Sequence, residues 1–306
     1  MAADTRLNET QFISGILGTS RCVRVALPAS YSQRSDVRYP VLYLQDGQNV
    51  FSSAGPHSCF GWGSWQTDIT ATSLAASNRC REVILVGIDN TRARYMEYRG
   101  LVARKDGGIP DSDPYRRYSR FLVEELKPWI DAHYRTLTNP ANTAVLGSSL
   151  GGLCSLSLAW EFPNVFGQVG CMSGAFQVER QAFAREVITP YQGSPLPFRI
   201  YIDSGVVDYS GDDDGCRHTD RIVTQLRRIG WVDGKTLLRI TDSTPRTPDQ
   251  LKAVDVPTSK WSEAATNQHN ELYWRLRFSG ALEWLFPIEP RTPADPSGNT
   301  HGQDRR

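Results

Sequence analysis

The chain has 306 residues, 40% of them hydrophobic, and a formal net charge of +1 with acids and bases well mixed. It carries no basic stripe and no run of like charge, which leaves a nucleic-acid role without its electrostatic footprint. No apolar run is long enough to span a bilayer, so no membrane partner is expected.

The opening residues, MAADTRLNETQF, carry neither the basic nor the apolar region of a secretory leader, which points to a cytoplasmic protein; a mature form without its leader would read the same. The six cysteines, at 22, 59, 80, 154, 171 and 216, show no CxxC or Cys/His metal spacing. They read as reduced thiols, which suits the same compartment.

In chain order, RCVRVALPASY (21–31) alternates and ends in turn chemistry, so it predicts an early strand near a sheet edge. YPVLYLQDG (39–47) and EVILVGIDN (82–90) are continuous apolar runs, the pattern of strands buried on both faces. Residues 67–77 can form a helix between them. In YRRYSRFLVEELKPWIDAHY (115–134) apolar residues recur at helical spacing, which predicts one long amphipathic helix that Pro128 can kink. NTAVLGS (142–148) is the next strand and LGGLCSLSLAWEF (150–162) the next helix. VFGQVGCMSGAF (165–176) and FRIYIDSG (198–205) each supply a strand. CRHTDRIVTQLRRIG (216–230) is a helix closed by Gly230. KTLLRITDS (235–243) is a last strand, and NELYWRLRFSGALEWLF (270–286) a last helix. Residues 244–267 read as a loop insertion.

Strands that alternate with helices need crossovers. The expected fold is therefore α/β, with a mostly parallel central sheet and helices on both faces. Residues 1–287 are expected to form a single domain. The Pro-, Gly- and polar-rich stretch 288–306 is expected to be a disordered tail.

Residues 147–151, Gly-Ser-Ser-Leu-Gly, match G-x-S-x-G with Ser149 at the centre. A nucleophile on a very tight strand-to-helix turn projects above the sheet, and its neighbours two residues away must be small. The helix that follows aims its unpaired N–H groups at the reacting centre, so the Leu150 N–H can donate to an oxyanion. Ser148 is the structural neighbour.

A serine hydroxyl needs a base. Of the five histidines, His269 falls after the last strand and just before the final helix, where a base belongs if the chain order is Ser, acid, His. The acid is expected after FRIYIDSG, in IDSGVVDYSGDDDG. Asp203 is still in the strand. Asp208, just past its end, is favoured, with Asp213 and Asp214 as rivals. Its task is to fix the imidazole tautomer and stabilise the imidazolium.

RVALPASY, YPVLYLQDGQNVF, VILVGIDNTRARYMEY, GSSLGG, FPNVFGQVGCMSG and HNELYW occur in this order over about residues 20–287. In them the chain resembles an esterase family of the α/β-hydrolase superfamily. That family includes enterochelin-esterase-like hydrolases, feruloyl and acetyl xylan esterases, esterase D and the mycolyltransferases. The branch that matches best carries the DGQN loop and the H-N-E-x-x-W ending and is close to the enterochelin-esterase-like branch. The resemblance implies an α/β-hydrolase fold and a serine carboxylic-ester hydrolase that works through an acyl-enzyme and needs no metal or organic cofactor. Ser149 would be the nucleophile, His269 the base and Asp208 the acid. The second oxyanion N–H would fall at or near Gln48. The substrate would be a small-molecule ester, such as a siderophore lactone or an aromatic or sugar ester.

FGWGSWQTD and NTRARYMEYRG place aromatic residues and arginines near the presumed cleft. Trp62 and Arg92 are the candidate substrate contacts. Two other functions fit the same residues. One is an acyltransferase of mycolyltransferase type, in which an acceptor hydroxyl replaces water. The other is a non-catalytic binding protein of the same fold, against which an intact Ser149 and His269 argue. The sequence gives no oligomeric state.

Overall fold

A computed structural model describes residues 7–101, 110–254 and 256–288. Of the tail 288–306, only Ile288 falls among them. Eight strands form one sheet: β1 (Leu7–Ser14), β2 (Thr19–Ala26), β3 (Val41–Gln45), β4 (Ile84–Ile88), β5 (Thr143–Ser148), β6 (Gln168–Met172), β7 (Arg199–Ser204) and β8 (Leu237–Thr241). Their spatial order is β1-β2-β4-β3-β5-β6-β7-β8. The β1–β2 and β2–β4 pairs are antiparallel, and all the others are parallel.

The apolar runs explain this sheet. Alternate residues of a strand point to opposite faces. Val41 and Tyr43 of β3, with Val145 of β5, enter one apolar cluster. Leu42, Leu44 and Leu146 enter a second cluster on the other face. On the first face lie helices 114–133, 150–161 and 216–229, through Tyr118, Leu153 and Ile222 among others. On the second face lie helices 67–76 and 271–285, through Leu74, Phe278 and Leu282. The central strands are buried on both sides, so they need apolar residues at every position.

The structure departs from expectation at three places. β1 is an additional edge strand. It pairs with the whole of β2, from Leu7 opposite Ala26 to Ser14 opposite Thr19, so β2 lies one strand in from the edge. The helix over 114–133 is not regular, because residues 121–126 take a wider π turn in which the Lys127 N–H reaches the Leu122 carbonyl, five residues back. Pro128 has no N–H to offer the carbonyl of Glu124, and the wider turn just before it absorbs the defect. Third, the insertion 244–267 contains short helices, Pro248–Ala253 with a Thr247/Gln250 capping box and Trp261–Ala264. Leu251, Val256 and Ala264 there pack with Trp62, Leu272 and Tyr273 as a third apolar cluster. No helix among the described residues is long and apolar enough to cross a membrane.

Candidate active site

Each polar group of the site follows the C-terminal end of a strand, where open α/β sheets place their ligands. Gln48 follows β3, Asn90 follows β4, Ser149 follows β5, Ser173 follows β6, Asp214 follows β7 and His269 follows β8.

Ser149 sits between β5 and the helix Leu150–Glu161 with φ 54° and ψ −123°. That backbone conformation is rare for a residue with a side chain and costs on the order of 1–3 kcal/mol. It is tolerated because the turn is tied down: the Ser149 N–H donates to the Met172 carbonyl at 2.9 Å, and the Ser149 carbonyl accepts from Ala175 N–H at 2.9 Å. Gly147 permits the turn. A Cβ there would stand 2.6 Å from the backbone carbon and oxygen of Gly151 and 2.8 Å from Gln45 Cγ. Gly147→Ala is therefore expected to lower unfolding stability by about 1–3 kcal/mol, read as a lower urea midpoint, because the backbone contacts have nowhere to retreat.

His269 Nε2 lies 3.0 Å from Ser149 Oγ. Its Nδ1 lies 2.5 Å from Asp214 Oδ1. An imidazole so placed can take a proton from the hydroxyl while its other nitrogen is held by a carboxylate. The carboxylate that meets His269 is thus Asp214, not Asp208. Asp208 serves its own loop: Oδ1 accepts from Ser210 N–H at 2.8 Å, Ser210 Oγ at 2.6 Å and Asp212 N–H at 3.0 Å. Asp213 is turned outward to Arg217. The loop after β7 runs past Asp208 and folds back, and Asp214 ends it in the left-handed region at φ 51°, 1% exposed.

Asp214 is surrounded by donors. Its Oδ2 accepts from Ser173 Oγ at 2.7 Å and from the Gly205 N–H. Arg277 Nη2 lies 3.9 Å away and also donates to Ser173 Oγ at 3.0 Å. Burial opposes ionisation, but the His269 hydrogen bond and the His269 and Arg277 charges outweigh it, so the carboxyl stays below its usual range. Arg277 is itself paired with the buried Asp203 at 2.8 Å. The indole N–H of Trp274 donates to Ser173 Oγ at 3.2 Å, and its ring meets the His269 ring edge-on, 5.1 Å between centroids.

The turn after β3 forms the opposite wall. Asp46 is left-handed (φ 59°) and is gripped by Arg94, Nε at 2.7 Å and Nη2 at 2.8 Å, and by Asn90. Gln48 lies in the four-residue helix Gly47–Val50, and its Oε1 accepts the Asn90 N–H at 3.1 Å. Gly47 lets this turn lie on β4, since a Cβ there would come within 2.6 Å of the Gly87–Ile88 backbone. Leu150 is the first residue of its helix, so its N–H has no intrahelical acceptor.

These walls enclose a cleft of about 810 Å³. Trp62 lines it, 6% exposed, with Lys260 Nζ 4.6 Å above its ring. Phe60 and Tyr209 line it too and are largely exposed. Arg92, expected to touch substrate, is exposed and lies outside the lining; among the described residues the arginine that lines the cleft is Arg94, two residues on, where the chain turns into the helix Arg94–Tyr98. Sequence reasoning also passed over Glu271 and the Ser173–Arg277 support of Asp214. Glu271 stands in the quoted H-N-E run, but nothing in a lone sequence says that its carboxyl turns into the cleft. Among the described residues, no group of His, Cys, Asp and Glu is arranged to hold a metal ion.

An eight-stranded, mostly parallel sheet with a sharp strand-to-helix turn after its fifth strand is the α/β-hydrolase fold. The chain belongs to the esterase family: the family model described as "Putative esterase" matches residues 14–224, and the protein is a carboxylic ester hydrolase. Esterase Rv1288 of Mycobacterium tuberculosis is 28% identical over 177 residues, 58% of this chain and 34% of that one. A ferulic acid esterase structure superposes with a TM-score of 0.65 at 17% identity, over 92% of this chain and 98% of the other. The enterobactin esterase FES of Shigella flexneri, solved in the presence of enterobactin, gives a TM-score of 0.66 at 20% identity, over 93% of this chain and 60% of that one.

Proposed function

We propose that the protein is a serine esterase that works through an acyl-enzyme, with Ser149 as nucleophile, His269 as base and Asp214 as acid. The observation that carries this reading is the continuous contact from Ser149 Oγ to His269 Nε2 at 3.0 Å and from His269 Nδ1 to Asp214 at 2.5 Å. Ser149 Oγ attacks the ester carbonyl carbon while its proton passes to His269 Nε2. The N–H groups of Leu150 and Gln48 stabilise the oxyanion. The tetrahedral adduct collapses, His269 returns the proton to the leaving alkoxide, and the acyl group stays on Oγ. Water then attacks that ester as His269 Nε2 takes its proton, the second adduct collapses with that proton passed to Ser149 Oγ, and the acid leaves.

The cleft lining bears on the substrate. Phe60, Trp62 and Tyr209 offer aromatic surface, and Arg94 and Lys260 offer positive charge. These suit an aromatic or sugar ester or a siderophore lactone. Trp62 is the substrate contact carried over from the sequence. All six cysteines are free thiols, which supports a cytoplasmic setting.

A fluorophosphonate probe is expected to label the peptide that contains Ser149 stoichiometrically, as read by mass spectrometry. An unlabelled, folded protein would instead indicate a binding module. Product analysis with and without a sugar acceptor tests the last step: free acid in both cases fits a hydrolase, whereas an acylated sugar identifies an acyltransferase.

A further inference from the structure

Asp46 is a carboxylate in the wall of the cleft, 4% exposed, and it takes no part in the proton transfers above. It opens the turn that carries the Gln48 N–H. That turn cannot hold itself. Its helix, Gly47–Val50, has four residues, too few to be stable alone, and it starts after a left-handed residue that bears a side chain. The Asp46 N–H makes a long contact, 3.4 Å to the Tyr98 hydroxyl.

What ties the turn down is the Asp46 side chain. Its Oδ1 accepts from Arg94 Nε at 2.7 Å and from Asn90 Nδ2 at 2.5 Å, and its Oδ2 accepts from Arg94 Nη2 at 2.8 Å. Although Arg94 lines the cleft, both side-chain hydrogen bonds it makes among the described residues go to Asp46. Its guanidinium also lies 5.5 Å from the centre of the Tyr98 ring, on its own helix. Lys260, the other long cation of the lining, pairs instead with Glu263 at 2.9 Å. The Asp46 carboxylate also abuts the helix after Ser149, for a Cβ on Gly151 would stand 3.3 Å from Asp46 Oδ2. Gly151 directly follows Leu150.

Resting on the serine-esterase reading, we propose that Arg94 is a positioning residue for the oxyanion site: its two-bond grip on Asp46 fixes the turn carrying the Gln48 N–H against the helix carrying the Leu150 N–H. Two donors serve an oxyanion only if both are aimed at one place before it forms. Leu150 is set by its helix, and Gln48 is set by this clamp. The planar fork of an arginine fixes a carboxylate in angle as well as distance, which the point charge of a lysine does not. The pair also cancels the Asp46 charge, which would otherwise oppose an oxyanion forming in the same cleft.

The effect falls on the transition state and not on substrate binding, so loss of the clamp lowers kcat and moves KM little. Arg94→Met alone would strand a buried carboxylate and destabilise the fold. The test therefore uses two other variants. Arg94→Lys keeps the charge and loses the fork, and the double variant Asp46→Asn with Arg94→Met removes both charges together. Each is expected to keep at most about a tenth of wild-type kcat on a p-nitrophenyl ester, and to bind an aryl trifluoromethyl ketone about tenfold or more weakly. Ser149 Oγ adds to the carbonyl carbon of that ketone, the hydroxyl proton passes to His269, and the carbonyl oxygen becomes an oxyanion. Its Ki therefore reads the two N–H donors. A merely structural role would lower the melting temperature and the fraction of active enzyme, and leave Ki of the folded enzyme where it was.

Either variant with more than about a tenth of wild-type kcat overturns the proposal, as does a kcat loss without the matching rise in Ki. A loss carried by KM would make Arg94 a substrate contact, and a variant recovered unfolded would make the pair a support of the fold; both outcomes overturn it too. In all these cases wild-type turnover that Ser149→Ala abolishes leaves the esterase reading standing. Turnover that survives Ser149→Ala removes that reading and the role of Arg94 with it.

Discussion

Ser149→Ala is expected to lower kcat on a short p-nitrophenyl ester by about 10⁴–10⁶-fold, with the fold intact by circular dichroism and the melting temperature within a few degrees of wild type. The loss is large because the neighbouring hydroxyl is not placed to take over. Ser148 is next in sequence but is a buried β5 residue, 3% exposed, and the His269 ring nitrogen is directed at Ser149 Oγ. His269→Ala is expected to cost about as much, and the double variant little more than either alone, because the two act on one proton. The residual rate would come from the N–H groups of Leu150 and Gln48, which neither substitution touches. A Ser149→Ala enzyme with more than a tenth of wild-type kcat would remove the acyl-enzyme mechanism.

The pair at the centre of this prediction was legible in the sequence for a physical reason. The sharp turn needs small residues at 147 and 151, and the structure shows a Cβ at 147 pressed onto the Gly151 backbone. Such a constraint leaves a local pattern. His269 was legible from order alone, as the histidine between the last strand and the last helix. The central strands were legible because burial on both faces demands apolar residues throughout. β1 left no such mark: LNETQFIS lies at the sheet edge with most of its residues exposed or half-buried, so its polar positions resemble a loop.

What escaped sequence reasoning was set by loop shape. Distance past a strand end favoured Asp208, yet the loop 205–215 doubles back. The local hints at Asp214 are slight: a glycine follows it, and a helix begins at Cys216. Arg92 and Arg94 are equally basic in sequence, and only the turn of the chain into the helix 94–98 decides which one lines the cleft. Glu271 looks like an ordinary acidic residue in a first helical turn, where the helix dipole favours a negative charge. Its burial against Cys59 and Asn49 joins segments more than 200 residues apart in sequence, which no local pattern encodes.

Asp214→Asn is expected to lower kcat by about 10⁴-fold, while Asp208→Asn stays within about threefold of wild type, both read as turnover of the same ester per folded enzyme. The two oxygens of Asp214 do different work. Oδ2 accepts from Ser173 Oγ and the Gly205 N–H and lies near the Arg277 guanidinium, whereas Oδ1 faces His269 Nδ1 alone. An asparagine in this place will orient its carbonyl oxygen toward the donors on the Oδ2 side, since an amide NH₂ there would meet N–H groups and a cation. Its NH₂ then points at His269 Nδ1. That nitrogen must become the acceptor, so the ring proton moves to Nε2, the nitrogen that faces Ser149 Oγ. An imidazole protonated at Nε2 cannot take the serine proton, and the site is shut although every heavy atom is close to its native position. Asp208 has no such role, because its Oδ1 accepts three hydrogen bonds from its own loop. An asparagine carbonyl can accept the same bonds, so the loop survives the change. The opposite outcome, a crippled Asp208→Asn beside an active Asp214→Asn, would mean that the loop rearranges when substrate binds and brings Asp208 to the imidazole.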